Sequence, residues 1–177
     1  KTTSVWSMVG SVVGLGDRHG ENILFDDTTG DCVHVDFSCL FDKGQQLEIP
    51  ECVPFRLTPN MRDALGLTGV EGVYRKSCET TMKTLRDNKD TLMGVLETFV
   101  HDPLLEWHNV KGQIGGGADI ENQQASRIMR KIERRLCGFI DNEHLPLSVE
   151  GQVQKLVSQA TSQENLAHMY IWWMPWL

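Results

Sequence analysis

Asp17, His19, Asn22 and Asp36 are the residues whose types and spacing could do chemistry. The first three share the stretch Gly14-Leu15-Gly16-Asp17-Arg18-His19-Gly20-Glu21-Asn22, and Asp36-Phe37 begins fourteen residues after Asn22. A carboxylate plus an amide oxygen are hard donors, suited to Mg²⁺ shared with substrate phosphates. Asp17, five residues ahead of Asn22, could accept the proton of an attacking hydroxyl. A loop Asp, a metal Asn and a metal Asp are what phosphoryl transfer asks of a protein, because positioning and charge stabilisation do most of that work.

These groups can meet if the chain between them folds back. Residues 22–26 (Asn-Ile-Leu-Phe-Asp) and 32–37 (Cys-Val-His-Val-Asp-Phe) are β-rich runs around a Thr-Gly turn, which predicts a hairpin. Asn22 opens the first strand and Asp36 closes the second, so both side chains can face one point. His34, inside the second run, reads as a packed or edge histidine. Ahead of the loop, Val5–Val13 is almost continuously apolar and reads as the end of a buried helix. Behind the hairpin, Ser38 to Pro59 shows no period and carries Pro50, Pro54 and Pro59; a loop of such length is usually functional.

Helices are predicted beyond it. Val70, Val73, Tyr74, Ser77, Cys78, Thr81, Met82 and Leu85 mark one amphipathic face, and Leu92, Met93, Val95, Leu96, Phe99 and Val100 another that stops before Asp102-Pro103. Asn109–Asp119, with Gly112, Gly115, Gly116 and Gly117, reads as a flexible linker. A helix then places Ile128, Ile132, Leu136 and Ile140 on one side, with Arg127, Arg130, Lys131, Arg134 and Arg135 around it. That basic stripe is expected to be a solvated face. From Leu147 a helix carrying Val149, Val153, Leu156 and Val157 leads to a tail with Tyr170, Trp172, Trp173 and Trp176. The tail is expected to pack on the rest of the chain rather than to enter a membrane interface.

The 177 residues hold 17 Lys+Arg against 24 Asp+Glu, a net charge of −7. That balance argues against neutralising phosphate backbones, so direct nucleic-acid binding is not expected. No apolar run reaches the ~18–20 residues of a membrane helix, and no membrane partner is expected. Five scattered cysteines, none spaced as CxxC, suggest neither a zinc site nor a disulfide framework. The start at Lys1, without an initiator Met or a signal-type stretch, leads to the expectation that the numbering begins inside a longer polypeptide.

The order Gly-Leu-Gly-Asp17-Arg18-His19-x-x-Asn22, strand, Thr-Gly turn, strand, His34-Val35-Asp36-Phe37 resembles the catalytic and activation loops of the phosphatidylinositol-kinase-like superfamily. Val53-Pro54-Phe55-Arg56-Leu57-Thr58 is similar to the activation-loop end of the PI3-kinase-related protein kinases. Asn165 through Leu177 is similar to the FATC domain that closes them. Within that family Val33–Phe41 and Ala160–Ile171 look most like the ATR branch. Trp172 departs from the FATC pattern, which has glycine before the second tryptophan.

The resemblance implies a mostly α (α+β) fold: the C-terminal lobe of a PI3-kinase-like kinase with a small β-hairpin carrying the metal site, followed by a helical regulatory segment and FATC. It places the lobe at 1–108, with catalytic loop 14–22 and activation loop 36–58, a regulatory linker and helix at 109–146, and FATC at 147–177. It implies that Asp17 orients and deprotonates the substrate hydroxyl and that His19 stands near the γ-phosphate. Asn22 and Asp36 would bind Mg²⁺, with Mn²⁺ as a substitute, for ATP. Arg18 would brace the loop, and Phe37, Pro54, Phe55, Arg56 and Leu57 would belong to the activation loop that selects substrate.

Implied further are protein substrates with Ser or Thr before Gln, an obligate subunit of the ATR-interacting-protein type, and a dimer of heterodimers in the full-length protein. A nuclear checkpoint role completes that expectation. No glycine-rich strand or nucleotide-binding lysine is visible, so the isolated chain is expected to transfer no phosphate. A lipid kinase of the same superfamily and a catalytically silent scaffold are the alternatives. Ser158-Gln159 and Ser162-Gln163 match the family's substrate dipeptide and suggest autophosphorylation sites.

Overall fold

The computed structural model describes residues 1–100, 117–140 and 143–177. Most of the linker read at 109–119 and the stop at Asp102-Pro103 lie outside the described residues. The last three linker positions do not; they are already helical.

Helix α1, Thr2–Val13, buries Met8 and Val12 together with Ser4, Ser7, Gly10 and Ser11. Small residues on that face let a later helix, Val73–Asp87, approach closely, and its Tyr74 hydroxyl donates to Ser7 Oγ at 2.8 Å. The helix stops at Gly14, whose φ of 68° belongs to the left-handed region and whose N–H returns to Gly10 O. A Cβ there would lie 2.4 Å from Asp42 Oδ1, so glycine also lets the later loop close on the helix end.

Strands β1 (Ile23–Phe25) and β2 (Cys32–His34) pair antiparallel, with Ile23 opposite His34 and Phe25 opposite Cys32. Asp26 Oδ1 closes the turn by accepting from the N–H groups of Thr28 and Thr29 at 2.8 Å each. Pairing ends earlier than the sequence suggests because the carbonyls of Val35 and Asp36 are taken by Arg18. The hairpin leans on α1: Trp6 donates to Cys32 O at 3.1 Å and stacks on His34 with ring centroids 4.6 Å apart. His34 is thus a packed strand histidine.

The long loop from residue 38 holds one turn of 3₁₀ helix, Lys43–Gln46, and ends in helix α2, Pro59–Ala64. Helices α3 (Val73–Asp87), α4 (Lys89–Val100), α5 (Gly117–Leu136), α6 (Val149–Ala160) and α7 (Gln163–Ala167) follow. Helix α3 begins later than Val70 because Gly72, at φ −94° and ψ −128°, interrupts it. Ser148 and Ser162 cap α6 and α7 by accepting from Gly151 and Asn165 N–H groups.

Met8, Leu57, Met82, Ile132, Leu136 and Val153 are fully buried where these helices converge. Burying side chains of this size contributes about 1.5–3 kcal/mol each. Polar bonds register the packing: Arg86 reaches Gln152 Oε1 at 2.6 Å, and Gln152 Nε2 donates to Arg135 O at 2.8 Å.

Two expectations need correction. The basic stripe of α5 is not simply solvated: Arg135 Nη2 binds both oxygens of Asp42 at 2.8 and 3.0 Å, and Lys131 reaches the same carboxylate at 3.2 Å. Burial works to raise the Asp42 pKa, yet these two cations hold it below its ordinary value. The aromatic tail is also divided. Trp173 packs with Leu166, Met169 and Val53, while Tyr170, Trp172 and Trp176 stay exposed. Trp172 is 70% exposed, so its bulk in place of the usual glycine displaces nothing.

Candidate active site

Arg18 organises the mouth of the hairpin. It is 3% exposed, and its guanidinium donates to Gly16 O and Val35 O at 2.8 Å each, to Asn22 O at 3.5 Å, and to Asp36 O. Burial pulls its pKa down, while Asp17 and Asp36 work in the opposite direction. The sequence reading of Arg18 as a brace fits these four carbonyl contacts. Val35 N–H donates to Asn22 O at 3.0 Å, so the two chain segments that carry Asn22 and Asp36 meet.

Asn22 is buried and donates from Nδ2 to Asp17 O at 2.8 Å. That bond fixes which end of the amide donates and leaves the carbonyl end as a hard donor. Asp36 is exposed, and one of its oxygens accepts from Ser38 N–H at 2.9 Å. The Ser38 bonds lower its pKa, with Arg18 and His19 adding to the effect, so it is ionised at neutral pH. No cluster of three His, Cys, Asp or Glu side chains fit for a metal occurs among the described residues. A divalent cation at this mouth would rest on Asn22, Asp36 and substrate phosphate oxygens, the way Mg²⁺ is commonly held.

Asp17 and His19 stand on the loop before it. His19 Nδ1 accepts from Glu21 N–H at 3.2 Å, which leaves Nε2 as the protonated nitrogen. Nε2 lies 4.0 Å from Asp17 Oδ2. Asp17 and Asp36 both have positive φ, 58° and 56°. Two carboxylate residues in the left-handed region mark backbone held by its surroundings.

The residues read from the sequence as activation loop fall on two sides. Phe37 is 46% exposed beside Trp6. Phe55, Arg56 and Leu57 are buried, and Pro54 is half-buried. Arg56 donates to Trp173 O, to Met174 O at 3.1 Å and to Arg18 O at 3.5 Å, with its guanidinium 4.5 Å from the Trp173 ring centre. Burial drops its pKa to about 10. This side chain joins the 14–22 loop to the tail, a position that a linear motif does not reveal.

Glu51 was not singled out from sequence. Its Oε1 accepts from Asp17 N–H at 2.8 Å. Burial raises its pKa, partly offset by the bond from Asp17 N–H, with the Asp17 charge adding to the rise. A cavity of about 410 Å³ is lined by Gly16, Asp42, Glu51, Lys131 and Arg135, among others, but by none of Asp17, His19, Asn22 or Asp36. It lies behind the loop, on the Gly16 and Glu51 side of Asp17.

A helical body carrying a two-stranded hairpin with this loop is matched by the phosphatidylinositol 3- and 4-kinase family over residues 1–109, and the chain belongs to that family. The FATC domain matches residues 146–177. Among named relatives, serine/threonine-protein kinase ATR of Arabidopsis thaliana is 61% identical over 175 residues, covering 99% of this chain and 6% of that protein. Protein kinase rad3 of Schizosaccharomyces pombe is 54% identical over 173 residues, covering 98% of this chain and 7% of that protein. The solved FAT and kinase domain of CtTel1 superposes with a TM-score of 0.83 at 39% identity, covering 99% of this chain and 12% of that one. This chain therefore spans a small fraction of the curated relatives it matches.

Proposed function

We propose that the chain is the catalytic-loop, activation-loop and FATC portion of a serine/threonine protein kinase of the ATR type. In this reading it transfers the ATP γ-phosphate to Ser or Thr followed by Gln. The observation that carries the reading is the meeting of the Asn22 and Asp36 segments beside the Asp17–His19 loop. The names of the relatives favour a protein substrate over a lipid.

In this reading Asp17 accepts the proton of the substrate hydroxyl as it attacks. His19 presents its Nε2–H to charge developing on the transferred phosphoryl group. Asn22 and Asp36 would hold Mg²⁺, or Mn²⁺ in its place, which would neutralise phosphate charge. Arg18 keeps the mouth in register. Phe37 and Pro54 would meet the substrate peptide, while Phe55, Arg56 and Leu57, which are buried, would shape the loop from inside. Checkpoint signalling in the nucleus, an obligate subunit of the ATR-interacting-protein type and assembly as a dimer of heterodimers belong to the same proposal.

The test is a paired assay of the full-length protein with a peptide containing Ser-Gln and with phosphoinositide vesicles. Phosphorylation of the peptide alone is expected, and its loss when Ser-Gln becomes Ser-Ala. Turnover of the lipid instead would favour the lipid-kinase alternative, and no turnover of either would favour the silent scaffold. The isolated 177-residue chain is expected to give none.

A further inference from the structure

Asp17 is a non-glycine residue at φ 58°. Such a conformation is strained for a residue with a side chain and persists where its surroundings over-determine it. Two hydrogen bonds do so here, one on each side of the residue. Asn22 Nδ2 holds the Asp17 carbonyl, and Glu51 Oε1 holds the Asp17 N–H, both at 2.8 Å.

Glu51 is itself tightly placed. Its N–H donates to Gly44 O at 3.0 Å. Its other carboxylate oxygen lies where a Cβ on Gly16 would come within 2.3 Å and a Cβ on Gly44 within 1.9 Å. Both glycines are therefore what gives the carboxylate room. The next residue, Cys52, donates its N–H to Met169 Sδ at 3.3 Å, so the docked tail borders the same carboxylate.

We propose that Glu51 is a positioning residue for phosphoryl transfer: its carboxylate, seated between Gly16 and Gly44, holds the Asp17 backbone in the conformation that presents the Asp17 side chain to substrate. The inference rests on Asp17 being the proton acceptor proposed above. It gives the activation loop a task separate from substrate selection, because Glu51 acts on the catalytic loop through one backbone N–H.

The experiment compares kcat and KM for ATP and peptide in full-length kinase carrying Glu51→Ala, Glu51→Gln, Gly44→Ala or Asp17→Asn, with thermal unfolding measured on each. Misplacing a reacting group by about 1 Å costs about 100-fold, so Glu51→Ala is expected to lose about that in kcat, with KM for ATP within about twofold. Glu51→Gln keeps an oxygen acceptor of the same reach and is expected to restore most of the rate. Gly44→Ala keeps the charge but displaces the carboxylate, and is expected to lose at least about tenfold in kcat. If Glu51→Ala does not fold, Gly44→Ala and Glu51→Gln decide. Wild-type kcat in Glu51→Ala or Gly44→Ala, or Glu51→Gln as slow as Glu51→Ala, overturns the positioning role while an inactive Asp17→Asn leaves the functional reading standing. An active Asp17→Asn overturns both.

Discussion

On the hairpin side Leu24, Phe25, Val33 and Phe37 are 46–58% exposed, whereas Met8, Leu57, Met82 and Val153 in the helical body are fully buried. The hairpin mouth takes its shape from hydrogen bonds: one buried guanidinium serves Gly16, Asn22, Val35 and Asp36. The body takes its shape from apolar contact among α1, α3, α5 and α6. Hydrogen bonds are directional and contribute little net stability, about 0.5–1.5 kcal/mol each, while buried area contributes much and orients little. A chain that must place two carboxylates and an amide therefore spends polar groups at the mouth and hydrocarbon behind it. Changes at the mouth should act on rate, and changes in the body on stability.

The largest effect expected is from Asp17→Asn or Asp36→Asn in the full-length kinase. General acid–base groups contribute about 10²–10⁴-fold, so kcat for the Ser-Gln peptide should fall by at least about 10²-fold in Asp17→Asn. Asp36→Asn removes the carboxylate proposed to hold the metal and should likewise lower kcat, with the unfolding midpoint unchanged in both. A midpoint that falls alongside kcat would break the comparison, because the mouth would then be carrying the fold.

Met82→Ala probes the opposite pole. Truncating a fully buried methionine should cost about 2–5 kcal/mol in urea unfolding, with kcat per folded molecule retained. Arg56 stands between the poles. Its removal leaves the Trp173 and Met174 carbonyls without their guanidinium. Arg56→Met should cost about 1–3 kcal/mol and open the tail to limited proteolysis ahead of the helical body. Cleavage spread evenly over the chain would show that Arg56 secures more than the tail.

The loop 14–22, the hairpin and the main amphipathic faces were legible because each is a local pattern: a turn sequence, β-rich runs on either side of a turn, or spacings of three and four. What the sequence did not disclose are contacts between distant polar residues, which have no period. Glu51 meets Asp17 across 34 positions and Arg135 meets Asp42 across 93. The resemblance identified Phe55-Arg56-Leu57 as loop but carried no information on which way the segment faces. The tail composition announced aromatic residues without deciding that Trp173 is covered and Trp172 is not. Helices α2 and α7, six and five residues long, are too short to show a period.

The Asp42–Arg135 pair sharpens the comparison at its smallest scale, because it is a polar contact that belongs to the body. The Asp42 side chain is 9% exposed, so the pair is screened less than a surface ion pair. A double-mutant cycle with Asp42→Asn and Arg135→Gln, read by urea unfolding, should give a coupling of about 1–2 kcal/mol. The pH dependence carries the same sign. Burial opposes ionisation of Asp42, but Arg135 and then Lys131 more than offset it, leaving the folded pKa below its ordinary value of 3.8. The unfolded chain therefore takes up this proton first as the solution is acidified. The stabilisation is fully present well above pH 3.8 and is lost as pH falls through the folded value. Asp42→Asn should thus flatten the acid limb of the stability curve below about pH 5, leaving the neutral-pH slope unchanged. An acid limb identical to wild type would mean that the α5 cations do not hold this carboxylate.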